Sequence, residues 1–380
     1  MRSPFDTEER QAFRDTARRF IEREIAPFAD AWDEAGEFPW ELHAKVGALG
    51  AFGFGIEEQY GGLGFDDAFM RAAFAEEMGR CGATGIPAAL GSRGISLGPI
   101  QTLASPELKE RVIPPVVAGT QNSCLAITEP SGGSDVAGLR TTARRDGDSY
   151  LLNGSKTFIT GAMNADFFVV GARTGGAGLG GISLFLVEAG MDGFRRTALD
   201  RKMGWWCADQ ATLYFEDCRV PAAHLLGPEN RGFLAIMENF NLERLGLVAQ
   251  SLGMMKVCFE DALAWARDRE TFGKHLIEHQ VIRHKFADMS AKIDAVEAYL
   301  NQLCWLINEG EMPVAEICKA KFFATKALEF CASEAMQIFG GAGYLRGNRV
   351  ERVYREVKVM AIGGGSEEIM RDLASRQLGL

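Results

Sequence analysis

Thr128-Glu129-Pro130-Ser131-Gly132-Gly133-Ser134-Asp135, followed further on by Asn153-Gly154-Ser155-Lys156-Thr157-Phe158-Ile159-Thr160-Gly161-Ala162, is the stretch on which the fold is decided. The first segment is a loop rich in Gly, Ser and Thr, and successive backbone N–H groups in such a loop can form an anion-binding nest. Taken alone it reads first as a turn. The second segment begins as a turn at Asn153-Gly154 and continues into a strand-like edge. Around the pair, Tyr150-Leu151-Leu152, Phe167 to Val170, Ile182 to Val187 and Thr212 to Phe215 are short β-prone runs separated by Gly, Asp and Asn turns. Residues 121–230 are therefore predicted to form an antiparallel sheet or barrel.

Working outward, both flanks are helical. Residues 1–120 carry Ala-, Glu- and Arg-rich stretches, broken by Gly61-Gly62 and by Pro114-Pro115. From 231 the helical period returns and lasts. Phe286, Met289, Ile293, Val296, Leu300, Leu303 and Ile307 form one stripe, and Ile317, Ala324, Leu328, Cys331, Ala335 and Ile338 form a second. Asn308 to Pro313 supplies the Gly and Pro of a reversal between them, so the two helices pack antiparallel. The prediction is an α+β chain with an N-terminal helical domain (1–120), a middle antiparallel β domain (121–230) and a C-terminal helical bundle (231–380).

Composition excludes several functions. With 380 residues, 47% hydrophobic and 24% charged, the chain can bury the cores of two or three packed domains. No apolar run approaches the roughly 20 residues that span a bilayer. The N-terminal arginines up to Arg23 are interleaved with Asp6, Glu8, Glu9 and Asp15, which argues against a leader peptide and sets a cytoplasmic enzyme as the expectation. A net charge of −10 argues against a nucleic-acid surface. The eight cysteines are scattered without a CxxC pair and read as reduced, buried thiols.

Two motif matches lack their context. Gly176 to Gly181 fits GxGxxG, but a strand-like run follows it where a dinucleotide fingerprint needs a helix. It reads as a hairpin loop. His275-Leu276-Ile277-Glu278-His279 fits a zinc-peptidase pattern, but Thr271-Phe272-Gly273 just upstream makes a loop-to-helix junction with surface histidines the plainer reading. No metal is expected.

The two segments quoted first, in that order, resemble the acyl-CoA dehydrogenase family, whose middle domain has a Thr-Glu-Pro…Gly-Ser-Asp loop and a Lys-x-(Trp/Phe)-Ile-Thr segment. Further matches are Arg201-Lys202-Met203-Gly204-Trp205, Phe215 to Pro221, Arg269 to Lys274 with Glu278-His279-Gln280, and Gln337 to Tyr344. The resemblance covers essentially the whole chain. It implies a four-helix C-terminal bundle and FAD as cofactor, with the flavin against Ala126, Ile127, Thr128, Gly133, Ser134 and the Phe158-Ile159-Thr160 edge. It also implies that Arg269, Thr271, Phe272, Gln280, Gln337, Gly340 and Gly341 hold the pyrophosphate and adenosine of an FAD bound largely by a neighbouring subunit. The residue types suit those roles, since Arg offers a bidentate fork to phosphate and Gly lets backbone approach closely. Ser134 would touch the CoA portion. A homotetramer, an acyl-CoA substrate, a place in β-oxidation and an electron-transfer flavoprotein as electron acceptor follow from the same resemblance.

The family reaction removes an α-proton and sends a β-hydride to the flavin, so it needs a positioned carboxylate. Many relatives keep it in a Tyr-Glu-Gly-Thr stretch before the last helix. Here Ile362-Gly363-Gly364-Gly365-Ser366-Glu367-Glu368 puts Gly364 in that place. Ser366 suits a helix N-cap and the acids after it suit the positive helix end, while by resemblance Ser366 and Glu368 match flavin-side positions. Glu243 falls on the stripe of Ile236, Phe240 and Leu247, where burial would raise its pKa toward that of a useful base. By pattern alone, a buried ion pair with a distant lysine explains it better. The isovaleryl-type and long-chain-type branches place their base at this helix position and have small residues at the other, so the resemblance assigns Glu243 as base. Asn241, Arg244 and Gly364 would lie on the substrate side. Gly363 and Gly364 would leave room for branched or longer acyl chains. The alternatives are an acyl-CoA oxidase using dioxygen, a flavin monooxygenase, and a catalytically silent acyl-CoA-binding protein.

Overall fold

A computed structural model describes residues 4–380; Met1, Arg2 and Ser3 of the expected N-terminal domain lie outside the described residues. The chain opens with α1 (Glu8–Glu24), α2 (Ala29–Ala35), α3 (Glu41–Ala48), α4 (Ala68–Gly79), α5 (Gly85–Leu103) and α6 (Pro106–Val117). Side chains fix the starts of three of them: Thr7, Asp67 and Ser105 each accept a backbone N–H from the first turn of α1, α4 and α6. At Gly62 a Cβ would fall 2.1 Å from the Ile56 carbonyl oxygen, so only glycine fits the reversal before α4. Pro114-Pro115 do not break the helix as expected. Each proline removes only its own N–H, and the Pro115 carbonyl still accepts from Thr120 and Gln121, so the turn away comes at Gly119 (φ 74).

The middle of the chain gives β1 (Ser123–Ala126), β2 (Thr142–Asp146), β3 (Ser149–Thr160), β4 (Phe167–Arg173), β5 (Ile182–Glu188), β6 (Phe194–Ala198), β7 (Gln210–Pro221) and β8 (Leu225–Leu226). They form one sheet in the order β6-β7-β3-β2-β4-β5-β8, with β1 also on β4. Pairing is antiparallel except at β4, whose contacts with β1 and β2 are parallel. Alternate residues of β4 and β5 enter two different cores. Phe168, Val170, Phe185 and Val187 join one, and Phe167, Val169, Leu184 and Leu186 join another shared with α5, α6 and the next helix. That double burial is why these runs are continuously apolar. Asn153-Gly154 is not the expected turn. It lies inside β3 as a bulge, where Gly154 (φ 144) faces Thr141 across a shifted register.

Helix α7 (Gly232–Asp268) is followed by a small hairpin of β9 (Glu270–Thr271) and β10 (Lys274–His275), then α8 (Gln280–Asn308), α9 (Val314–Phe339), α10 (Arg349–Ile362) and α11 (Glu367–Gln377). Helices α7 to α10 pack around a core that includes Leu252, Met255, Met289, Val296, Leu328 and Val353, with α11 packed on α9. Both sequence stripes face this core. All eight cysteines are free and buried. Among the described residues no helix is long and apolar enough to cross a membrane.

Candidate active site

Glu243 sits on α7 where three elements meet. Asn239, one turn before it, donates to the Ile95 carbonyl of α5 (2.6 Å), and the α10–α11 linker crosses in front of it. A Cβ on Gly364 would lie 2.5 Å from Leu247 Cδ1 and 3.6 Å from Glu243 Oε1. A side chain at Gly364 would therefore meet Leu247 and Glu243. Part of the Glu243 side chain is reachable from solvent, yet Oε2 is sealed and has no hydrogen-bond partner. Burial pushes its pKa up to about 7, against the opposing pull of Arg244 and then Lys321.

The cations beside it are engaged elsewhere. Arg244 is buried, donating through Nε to the Gly364 carbonyl (3.1 Å) and through Nη1 to Asn241 Oδ1 (3.1 Å). Lys321 on α9 is fully buried and donates to the carbonyls of Gly365 (2.7 Å) and Ala361 (3.4 Å). Neither forms an ion pair with Glu243 among the described residues. The distant lysine of the structural alternative thus exists, but it holds the glycine linker. Ser366 caps α11 by accepting from Ile369 N, and Glu368 is exposed on the first turn.

The loop after β1 reaches the same region because Ile127 packs in one core with Ile236 and Phe240, two turns and one turn before Glu243. Glu129 pins that loop. Its carboxylate accepts from Lys156 Nζ (2.8 Å) and from the N–H groups of Arg140 and Thr141, and Lys156 also donates to the Ile127 carbonyl (3.0 Å). Burial opposes ionisation of Glu129, but Lys156 and the backbone donors hold it well below the usual carboxylate range. Thr157 N donates to the Thr128 carbonyl, locking loop to strand (2.9 Å). The next residue, Phe158, is at φ 59 in the second bulge of β3 and presents its ring 65% exposed. Thr160 accepts from Gln210 (3.0 Å). Gly133 and Ser134 are exposed, whereas Ala126, Ile127 and Ile159 bury their side chains and can meet a ligand only through backbone.

A second group lies at the opposite end of the bundle. Arg269 and Thr271, with the tight turn Phe272-Gly273 (φ 50 and 76), lead to Gln280 at the start of α8. Trp265 stacks on Phe339 (5.1 Å), bringing Gln337, Gly340 and Gly341 to the same end. Phe272 is 97% exposed, and the Arg269 side chain has no hydrogen bond or ion pair among the described residues. Arg269 is 26 residues beyond Glu243, about 39 Å at the α-helical rise. That exceeds the span of a dinucleotide. In the HxxEH segment, Glu278 accepts from His275 N (2.9 Å) and His279 bonds Thr271, and no group of three or more His, Cys, Asp or Glu placed to hold a metal occurs among the described residues. Gly176 to Gly181 forms the β4–β5 connection.

Glu129, Lys156 and Lys321 are absent from the site expected from sequence. Lys321 had a signal: it fills the gap between Ile317 and Ala324 on the second stripe, a charge on an apolar face like Glu243.

Comparison with known proteins places the chain in one family. The acyl-CoA dehydrogenase N-terminal, middle and C-terminal domains match residues 7–120, 124–218 and 230–379. An acyl-CoA dehydrogenase of Bacillus subtilis is 37% identical over 373 residues, 98% of both chains. The mitochondrial long-chain specific acyl-CoA dehydrogenase of Rattus norvegicus is 36% identical over 97% of this chain and 86% of its own. The solved acyl-CoA dehydrogenase of Geobacillus kaustophilus superposes with a TM-score of 0.95 at 33% identity, covering 100% of both.

Proposed function

Because the chain belongs to the acyl-CoA dehydrogenase family, and is an FAD-dependent oxidoreductase acting on acyl-CoA, we propose that it converts an acyl-CoA to the trans-2-enoyl-CoA with Glu243 as the base. The observation that carries this reading is the buried Glu243 carboxyl, which sets Oε1 beside Gly364 and leaves Oε2 without a hydrogen-bond partner. A carboxyl near pKa 7 is ionised enough to accept a proton and basic enough to pull one from a thioester α-carbon. The Gly364 N–H has no acceptor among the described residues, so it is the donor we assign to the thioester oxygen as enolate charge develops.

The residues present fit FAD. An outward aromatic face at Phe158, next to Thr160 and the pinned Thr128–Ser134 loop, suits a flat ring system. At the far end, the uncommitted Arg269 and the open space around Gly340 and Gly341 suit a pyrophosphate. When bound, FAD supplies the hydride acceptor for the β-carbon. The roughly 39 Å between Glu243 and Arg269 supports an assembly in which each cofactor is held by two chains, the tetramer of our proposal. We assign electron-transfer flavoprotein as acceptor, β-oxidation as the setting and the cytoplasm as the compartment, which suits eight free buried thiols.

Purified protein is expected to be yellow and to bleach anaerobically on adding the acyl-CoA it oxidises, scored across a panel of acyl chains. Glu243→Gln should keep its FAD and bleach about 10²- to 10⁴-fold more slowly. Bleaching of the variant at the wild-type rate removes Glu243 as base.

A further inference from the structure

Resting on Glu243 as base, we propose that Lys321 is a positioning residue of this site. From α9 it holds the Gly363–Gly365 turn against Glu243 and supplies positive charge that keeps the carboxylate ionised. Three observations lead there. Lys321 is fully buried, and its Nζ has only backbone carbonyls as bonded partners. A buried ammonium is costly, and a neutral donor would serve equally well as a hook. Second, Arg244 from α7 and Lys321 from α9 clamp successive carbonyls, those of Gly364 and Gly365, in the turn that faces the carboxylate. Third, Glu243 Oε2 receives no hydrogen bond, so nearby charge is what offsets its desolvation.

Of the other titratable groups around the pair, Arg244 alone adds positive charge, and Lys321 acts together with it. Cys318, on α9, feels both Arg244 and Lys321, but burial pushes its thiol pKa up and holds it neutral. Glu367, on α11, has Oε2 engaged by Lys326 and Arg371. Arg244 bonds only the neutral Asn241 and Gly364 oxygens, so its charge also acts on the Glu243 carboxyl, ahead of that of Lys321. Burial lowers the Lys321 pKa to about 8 while Glu243 pulls it back up, so near neutral pH both groups carry charge and titrate as a coupled pair.

The test is the pH profile of kcat/KM for the holoenzyme from about pH 6 to about pH 9. Lys321→Met keeps the stem but removes the charge. Its acid limb should move up by about one pH unit, giving roughly tenfold lower activity near pH 6 with recovery near pH 9. Lys321→Arg should leave the limb in place. A Met variant slowed equally at every pH, with its limb unmoved, reduces Lys321 to a hook and overturns the proposal. Should that variant not fold, the coupling is read from the other side by Nζ NMR of Lys321 in Glu243→Gln. Its pKa should fall by about one unit, and an unmoved value overturns the proposal. Wild-type turnover in Glu243→Gln sinks the base assignment instead, while an inactive Glu243→Gln with Lys321 unmoved sinks this inference alone.

Discussion

At the scale of the residue, Glu243 sets a conflict between function and stability. Its carboxyl is raised from an ordinary 4.5 to about 7, so the folded protein binds that proton more tightly than the unfolded chain does. The group therefore costs nothing below the unfolded pKa, and stability is lost as pH rises from there through the folded one, reaching about 3 kcal/mol above it. Glu243→Gln removes that cost. Its melting temperature should exceed that of wild type at about pH 8, and the gap should close toward about pH 5, as followed by calorimetry. A gap that is constant with pH means that the carboxyl is not perturbed in the folded state. Both Glu243 and Lys321 betray themselves in the sequence as charges on apolar stripes. That signal says a charge is buried, but not what it meets. The sealed Oε2, and the preference of Lys321 for carbonyls over the carboxylate, depend on how α7, α9 and a glycine linker converge.

At the scale of the element, the loop Thr128–Ser134 owes its position to the Glu129–Lys156 pair, which is buried on both sides (4% and 0% exposed side chains). Removing one member of such a pair leaves a lone buried charge and costs about 3–5 kcal/mol. Glu129→Gln should thus lower stability by that order in urea unfolding and weaken FAD retention. The double variant Glu129→Gln with Lys156→Met, which keeps an acceptor for the Arg140 and Thr141 N–H groups, should recover much of the loss. Comparable losses in both would mean that the pair contributes its Coulomb energy in full. The sheet was largely legible because β4 and β5 are buried on both faces and so read as unbroken apolar runs. The bulges of β3 were not. Asn-Gly is a turn signal wherever it occurs, and only the register against β7 and the nearby Thr141 turn it into a kink within a strand. The same limit applies to Pro114-Pro115, where tertiary packing of α6 outlasts a local helix breaker.

At the scale of the whole molecule, the three-part succession of helices, sheet and bundle could be read from changes in hydrophobic period. What no pattern within one chain shows is that α7 keeps its two functional ends about 39 Å apart. On the proposed roles, one subunit would own a base and a phosphate clamp that never serve the same active site. The consequence is genetic as much as structural. Two defective alleles, one encoding Glu243→Gln and the other Arg269→Ala, should complement each other when coexpressed. A mixed pair of chains contains one site with both defects and one with neither, so activity should return in mixed assemblies although each allele alone is nearly silent. Separately tagged subunits, purified through both tags and assayed, measure it. No gain over the two parents would mean that every site is built within a single chain.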